Sequence, residues 1–339
     1  MPVTIKDIAR MIGKSTTTVS RALHDYDDIS PETKQLVRKV AAELGYSPNT
    51  LAQRLQKQHT DTLALILPTY GPRFSDPFFS EFIAGVGNQA TRLGYDLLVS
   101  TRPPGEEELQ AYQYNVQGRR VDGFIVVRTR CQDARIDYLR KVDSPFVAYG
   151  SVEGNLDFPL VDVDSHYGMS LVVDYLTDLG HRRIACITPP MDLTFAQHRL
   201  NGVRAGLQSR EIPCDETLIV SSDLTQGGGY QQTLALLEAP NPPTAIIACN
   251  DLMALGAMSA VQDRGLHVGV DVSITGFDDI AQAEHSHPPL TTVRQPIEQI
   301  GEMVCEMLVK VIHKEPLEKG QIMLQPELVV RQSCGRVSA

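Results

Sequence analysis

The sequence predicts a mixed α/β protein, with a small all-α helix-turn-helix domain followed by a core of two doubly wound lobes. Three observations indicate this fold class. Apolar residues recur at helical spacing within the first 46 residues, short buried-type runs alternate with longer helical stretches from Thr62, and the same alternation resumes after Asp164. At 339 residues, of which 42% are hydrophobic, the chain is long enough for two or three domains with real cores.

Composition argues against a membrane or secreted protein. No run approaches 18 apolar residues, and the N-terminus lacks the apolar stretch of a secretory signal. The six cysteines are widely spread without a C-x-x-C pair, a pattern that fits a reducing cytoplasm and argues against disulfides or a zinc site. We therefore expect a cytoplasmic protein without membrane contact.

Charge is distributed unevenly along the chain. Residues 1–60 hold nine Lys/Arg and six Asp/Glu, a net charge of +3, whereas the remainder carries −13. An acidic protein with a basic end is typical of a chain whose end binds a polyanion, although a solvated basic face gives the same count.

Caps and breakers predict three short helices in residues 1–46. Thr4, Ser15 and Ser30 stand at N-cap positions, while Gly13 and Gly45 end the first and third helices. Because helices of this length are unstable alone, they must pack on one another.

The second helix has the features of a DNA-reading helix. Ala9, Gly13 and Val19 stand where a helix-turn-helix needs a close contact, a left-handed turn and a core residue. Its outward face presents short hydroxyls and one guanidinium, which suit phosphates and base edges. An ordinary three-helix domain with a polar surface is the alternative. The candidate residues are Ser15, Thr16, Thr17, Ser20 and Arg21.

Residues 47–55 predict about two turns of a helix that would be marginal in isolation and could order on binding. With these residues, TIKDIARMIGKSTTTVSRAL followed by GYSPNTLAQRL resembles the lactose-repressor (LacI/GalR) family of bacterial transcription regulators. The similarity is dense over residues 3–60 and specific in order and spacing.

The resemblance implies roles for individual residues of the first domain. Thr16, Thr17 and Arg21 correspond to residues that read the operator, and Asn49 is placed with them as a DNA contact. Leu55 corresponds to a leucine that wedges into the minor groove and kinks the DNA, unless it packs on its own domain. Paired hinge helices of a homodimer would then order only on a pseudo-palindromic double-stranded operator.

The domain prediction follows from the change of period and from the same resemblance. We expect a helix-turn-helix domain over 1–46, a hinge helix and linker over 47–60, and a ligand-binding and dimerisation core over 61–339. The family implies a periplasmic-binding-protein-like core with three crossovers, near 162, 290 and 322, and a ligand between the lobes. The N-lobe then comprises about 61–161 and 291–322, and the C-lobe about 162–290 and 323–333.

Candidate ligand contacts in the N-lobe lie near predicted strand ends. Phe78 and Phe79 could stack on a sugar ring or a base, or could instead pack under the following helix. Arg102 and Arg128 follow strands, where guanidinium groups can hold vicinal hydroxyls, although solvated loop arginines are the alternative.

The C-lobe candidates come from matches to the family. Arg199 in HRLNG, Asn250 and Asp251 in CNDLMALGA, and Asp278 in GFDD correspond to ligand positions; helix capping is the alternative for the last three. Where several relatives have an aromatic residue, SSDLTQ provides Leu224, so ring stacking there is in doubt.

Two patterns resemble other sites but do not fit their context. GVGNQA at 85–90 lies inside a helical pattern, so we expect no dinucleotide cofactor, and the His285/His287 pair lacks further metal ligands. The sequence contains no nucleophile elbow, phosphate loop or H-E-x-x-H. We therefore predict no cofactor, no metal and no enzyme activity.

Together these observations predict a sequence-specific DNA-binding regulator, a repressor, whose operator affinity a small ligand controls. A sugar or glycoside is the expected ligand, with a purine or nucleoside as the alternative. A solute-binding protein, or an α/β enzyme with an appended DNA-binding domain, would be a different class of protein. With no heptad tail at the C-terminus, we expect a homodimer.

Overall fold

A computed structural model describes residues 3–46, 59–69, 76–154 and 157–337. The chain divides into two compact units, Met1–His59 and Thr60–Ala339. Within these described ranges, no helix is both long and apolar enough to cross a bilayer.

The N-terminal unit contains the three expected helices, α1 (Ile5–Ile12), α2 (Thr16–Leu23) and α3 (Pro31–Glu43). All three predicted N-caps are confirmed. The Thr4 N–H donates to the Asp7 carboxylate at 3.0 Å, and the Ser15 hydroxyl accepts the Thr18 N–H at 3.0 Å. These bonds satisfy amides that a helix leaves unpaired at its first turn.

The core of this unit joins one face of each helix. Ile8 from α1, Val19 from α2 and Val37 from α3 are fully buried. Between α1 and α2, Gly13 has φ 64°, a left-handed conformation that side chains disfavour. A helix-turn-helix is therefore the observed arrangement.

The first lobe of the core has a six-stranded sheet in the order β11-β5-β4-β3-β1-β2. All its strands pair in parallel, and a helix follows each of the first three strands. Its elements are β1 (Thr62–Pro68), α4 (Pro77–Arg92), β2 (Asp96–Arg102), α5 (Glu106–Gln117), β3 (Gly123–Val126), α6 (Ala134–Lys141), β4 (Phe146–Tyr149), β5 (Leu160–Val163), α12 (Ile297–Ile312) and β11 (Gln321–Leu324).

The second lobe repeats the plan with the order β12-β10-β9-β8-β6-β7, in which only β12 is antiparallel. A large core of aliphatic side chains lies between this sheet and its helices. Its elements are α7 (Ser165–Asp178), β6 (Ile184–Thr188), α8 (Thr194–Ser209), β7 (Ile219–Ser221), α9 (Gln226–Leu237), β8 (Ala245–Ala248), α10 (Asp251–Asp263), β9 (Ser273–Asp278), α11 (Ala281–His285), β10 (Thr291–Arg294) and β12 (Glu327–Val329).

Three crossovers join the lobes, each a few residues beyond the position expected from the sequence. The chain leaves the first sheet after β5, returns between β10 and α12, and crosses again between β11 and β12. The N-lobe segment expected from 291 therefore begins after Arg294, because β10 pairs with β9. Likewise the last crossover follows Leu324, not residue 322, because β11 pairs with β5 over its whole length.

The GVGNQA pattern lies within helix α4, as predicted. A Cβ on Gly85 would stand 2.2 Å from the Glu298 carbonyl oxygen of α12. The glycine therefore allows close packing of two helices, which accounts for the pattern without a dinucleotide.

Candidate ligand cleft and nucleic-acid interface

A cleft opens where strands of both lobes end, with an empty volume of about 590 Å³ including its mouth. Concave sites between two lobes, lined by aromatic rings and a few charged groups, are typical places for small organic ligands. Side chains from both lobes line it. They are Asp76, Phe78, Phe79, Arg128, Thr129, Tyr149, Gly150, Asp162, Ser165, Phe195, Arg199, Leu224, Asn250, Asp278 and Gln295.

The N-lobe wall is built around Arg128, which follows β3. Its Nη2 donates to the Asp76 carboxylate at 2.5 Å, its Nη1 donates to the Pro68 carbonyl at 3.0 Å, and its guanidinium carbon lies 4.9 Å from the Phe79 ring centre. Asp76 also caps α4 by accepting the Phe78 N–H at 3.2 Å. The sequence-predicted Phe78, Phe79 and Arg128 therefore lie together.

The C-lobe wall is built around Arg199, a buried residue of α8. Its guanidinium lies 3.7 Å from the Phe277 ring centre and 4.8 Å from that of Phe195, and its Nη2 is 3.4 Å from Asp278 Oδ1. Its Nη1 donates to the Cys249 carbonyl. The Nε of Arg199 is buried and has no hydrogen-bond partner in the described structure.

A hydrogen-bond chain connects the two lobes across the cleft. The Tyr149 hydroxyl donates to Gln295 Oε1 at 2.7 Å, and Gln295 Nε2 donates to Asp278 Oδ1 at 2.6 Å. Gln295 lies on the crossover between β10 and α12, so this chain joins the cleft to a hinge segment.

Sequence reasoning missed several of these residues. Tyr149 ends β4, and Gln295 directly follows β10, so their positions at strand ends were the available signal. Phe195 lies four residues before Arg199, which places both on one face of α8. Phe195 therefore places an aromatic ring on the cleft wall, which Leu224 lines with an aliphatic side chain.

Three cleft residues other than glycine have positive φ angles. They are Arg128 at 49°, Leu224 at 69° and Asp278 at 124°. Such conformations cost about 1–3 kcal/mol each and persist only where the surrounding structure holds them. Their concentration at strand ends indicates that the cleft walls are rigidly held.

The cleft contains more carboxylates than guanidinium groups. Burial raises the pKa values of Asp76, Asp162 and Asp278, although nearby arginines partly oppose the rise for Asp76 and Asp278. Asp162 accepts the Ser151 N–H at 3.0 Å and the Val163 N–H at 2.8 Å. These oxygens suit a ligand that donates hydrogen bonds.

Two sequence-predicted contacts do not reach this cleft. Arg102 ends the edge strand β2, where its exposed side chain donates to the Thr101 carbonyl at 2.6 Å. Asp251 is fully buried, accepting the Thr292 hydroxyl at 2.5 Å and the Ile280 N–H at 2.9 Å. Its carboxylate therefore joins C-lobe elements and does not face the ligand space.

Asn250 both lines the cleft and caps helix α10. Its Oδ1 accepts the Met253 N–H at 2.9 Å, which caps α10, and its Nδ2 donates to the Leu224 carbonyl at 3.1 Å. The capping alternative is thus observed, and the residue also borders the cleft.

Burial of Asp251 predicts a pH-dependent stability. Desolvation raises the pKa of Asp251 in the folded protein to about 6, from its ordinary value of 3.8. Between these two pH values the folded state therefore binds one proton more than the unfolded chain does. Its stabilising contribution is therefore greatest below the unfolded pKa and decreases as pH rises through about 6.

Urea unfolding of wild type and Asp251→Asn between pH 4.5 and 7.5 tests this expectation. The stability of wild type relative to the variant should decrease with pH, by at most about 1.4 kcal/mol per pH unit for one proton. A difference independent of pH would contradict the assignment.

In the N-terminal unit, Thr16, Thr17 and Arg21 are exposed on α2. Arg21 is held in place, because its Nη2 lies 2.8 Å from Asp28 and its guanidinium carbon 4.9 Å from the Tyr26 ring centre. No sequence pattern indicated this arrangement.

The other predicted nucleic-acid contacts divide into two groups. The Ser15 hydroxyl is occupied by Thr18, and Ser20 is half-buried with its carbonyl accepting from His24. Asn49 and Leu55 lie outside the described residues.

A metal site was not expected from the sequence. Within the part of the chain that the structure describes, no group of three or more His, Cys, Asp or Glu side chains could hold a metal ion.

Comparison with known proteins identifies both units. Residues 4–49 match bacterial regulatory proteins of the lacI family, and residues 173–334 match a periplasmic binding protein-like domain. The chain is 34% identical to the HTH-type transcriptional regulator AglR of Rhizobium meliloti (strain 1021), covering 99% of this chain and 95% of that protein.

Solved structures show the same similarity over the whole chain. The lac repressor dimer bound to operator and the anti-inducer ONPF superposes with a TM-score of 0.87 at 29% identity, covering 98% of this chain and 99% of that one. A complex of the transcriptional regulator CelR with cellobiose gives 0.76 at 32% identity, with the same coverages. These relatives are regulators, not enzymes. The chain therefore belongs to the LacI family of DNA-binding transcriptional regulators.

Proposed function

We propose that this protein is a homodimeric repressor whose affinity for a pseudo-palindromic operator is set by a sugar or glycoside bound between the lobes. The observation that carries the proposal is a pair of arginine–carboxylate units facing one cleft. Arg128 with Asp76 belongs to the N-lobe, and Arg199 with Asp278 to the C-lobe.

The chemistry of these units suits a neutral polyhydroxyl ligand. Guanidinium groups donate to sugar oxygens, while carboxylates accept from vicinal hydroxyls. Aromatic rings such as Phe78 and Phe195 can pack on the apolar face of a pyranose. The excess carboxylate disfavours an anionic ligand, and the cellobiose found with the relative CelR supports this ligand class.

Control of DNA binding would follow from the contacts that the ligand makes with both lobes. A ligand that binds one lobe arrangement better than another shifts the population towards it. Three crossovers connect the lobes, so such a shift moves one lobe against the other. It would thereby move β1, the first strand of the N-lobe, which directly follows the DNA-binding part of the chain. Operator affinity and ligand affinity are then coupled reciprocally.

On the DNA side, we assign base reading to Thr16, Thr17 and Arg21. Each is exposed on α2, the second helix of the helix-turn-helix, which is the helix that enters the major groove in this motif. Ser15 and Ser20 would approach the phosphate backbone. By family resemblance, Asn49 contacts DNA and Leu55 wedges into the minor groove.

Replacing Arg21 by alanine tests the DNA-binding assignment. We expect specific operator affinity to fall about tenfold or more, because a guanidinium pairing with guanine supplies most discrimination at its base pair. Fluorescence anisotropy on operator and scrambled duplexes at one salt concentration measures the effect. Non-specific binding should change little, since one of many phosphate-attracting charges is lost.

Arg38→Ala provides the matched control, because it removes an equally positive, exposed side chain from α3. It should leave operator discrimination intact. Equal losses of operator affinity in the two variants would show that Arg21 contributes charge only and does not read bases.

A further inference from the structure

A short segment after β3 bridges the two lobes directly. We name residues 128–131 the strap. The Cys131 N–H donates to the Asp192 carbonyl oxygen at 2.9 Å, and the Thr194 N–H donates to the Thr129 carbonyl oxygen at 3.0 Å. The partners are at the start of α8 in the C-lobe, so these bonds hold one lobe against the other.

The strap is separate from the three crossovers. Within the first sheet, β3 is two strands from β5, where the first crossover begins. Within the second sheet, β6 precedes α8 and is three strands from β10. The strap therefore connects the lobes non-covalently at a place away from the hinge segments.

A buried ion network fixes the strap to the N-lobe. Arg135, 1% exposed, donates to Glu108 at 2.5 Å and to Asp133 at 2.6 Å and 2.9 Å. Glu108, fully buried, also accepts from Arg130 of the strap at 2.7 Å. The Arg130 N–H in turn donates to Asp133 at 3.0 Å.

The same network reaches the cleft. Arg135 Nη2 donates to the Arg128 carbonyl oxygen at 3.0 Å, at a residue whose φ is 49°. The Arg128 side chain then points to Asp76 in the cleft. The strap thus begins at Arg128, which lines the cleft, and ends at Cys131, whose N–H bonds to the C-lobe.

We propose that the strap transmits cleft occupancy to the lobe arrangement, with Glu108 and Arg135 as the residues that position it. A ligand hydroxyl competing with Asp76 for Arg128 acts on the backbone that carries the bridge to α8. The proposal rests on the proposed function, because its consequence is a change in operator affinity.

The test first removes the ion pairs that hold the strap and then links the strap to the C-lobe by a disulfide, in the full-length protein. Arg130→Met removes the ion pairs with Glu108 and Asp192 but keeps an apolar stem of similar length. Because Arg130 pairs with Leu193 in an antiparallel bridge, Cys131 stands opposite Asp192. Asp192→Cys therefore places a thiol opposite the native one. Opposed residues of an antiparallel pair have Cα atoms about 4.5–5.5 Å apart, which is within the range that a disulfide, formed here with diamide, can span.

The reduced Arg130→Met/Asp192→Cys protein should differ from wild type in operator affinity by at least about fivefold. Oxidation should return the affinity to within about twofold of wild type, because the disulfide restores the bridge. The inference is overturned if the reduced protein binds operator like wild type, if oxidation leaves its changed affinity unaltered, or if no disulfide forms between Cys131 and the introduced thiol.

Further variants separate the possible failures. Asp192→Cys with native Arg130 should cross-link and bind operator like wild type, which keeps the test valid if Arg130→Met does not fold. Adding Cys131→Ser to the double variant must abolish the oxidation effect; a persistent effect would point to another thiol and overturn the inference. Absence of specific operator binding by wild type would reject the proposed function, whereas the disulfide still reports the strap contact.

Discussion

Replacing Arg135 by methionine is expected to lower the free energy of unfolding of the core by about 3–5 kcal/mol, because it leaves the buried Asp133 carboxylate without its ion-pair partner and Glu108 with Arg130 alone. Although burial alone raises the pKa of Asp133, hydrogen bonds from Arg135 and its positive charge outweigh burial and lower that pKa. Without the guanidinium, the Asp133 carboxylate would remain charged in a buried site or take up a proton. Urea unfolding at pH 7 measures the loss.

Arg140→Met is the matched control, since Arg140 lies on the same helix α6 but is exposed. Its substitution should change stability by less than about 0.5 kcal/mol, as is usual for surface positions. A comparable change in both variants would mean that the network contributes nothing beyond helix propensity.

Replacing Arg199 by methionine is expected to reduce ligand affinity by about a hundredfold or more, because a charged donor to the ligand would be lost in a buried site. Methionine retains apolar contact with Phe195 and Phe277, so the ring stack should remain filled. The variant should still bind operator but lose its response to the ligand that shifts wild type. Calorimetric ligand titration and operator anisotropy together measure the two effects.

Arg204→Met controls for charge on the same helix, because Arg204 is partly exposed and pairs with Glu216 away from the cleft. It should preserve ligand affinity and response. A full response in Arg199→Met would show that the ligand does not use the C-lobe wall.

The fold was predictable where local sequence determines structure. Helix caps such as Ser15 and Ser30, and the left-handed turn at Gly13, act within a few residues and were confirmed. The crossovers were placed too early because sheet membership is non-local. The short strand β10 gives no signal of whether it pairs with β9 or with the first sheet.

The cleft was predictable only in part. Arg128, Arg199 and Asp278 follow or face strand ends and do line it, whereas Arg102 lies on an edge strand and faces solvent. Asp251 follows β8 in the same way as Asn250, but its side chain bonds Thr292 within the C-lobe. Residue type and strand-end position do not distinguish these outcomes, because the direction of each side chain depends on its neighbours in space.

The strap and its ion network were invisible in the sequence for the same reason. Glu108 is 27 residues from Arg135, and Asp192 is 61 residues from Cys131. Only the pairing of β3 and the approach of α8 bring these groups together.

Ligand-controlled operator binding is tested most directly by anisotropy of the wild-type protein on its own promoter DNA, titrated with neutral sugars, glycosides and nucleosides. We predict specific binding, and a shift of about tenfold or more, equivalent to about 1.4 kcal/mol of coupling, caused by a neutral sugar or glycoside. Specific binding that none of these compounds alters would contradict ligand control by the cleft. A shift caused by a nucleoside alone would contradict the assignment of the ligand class.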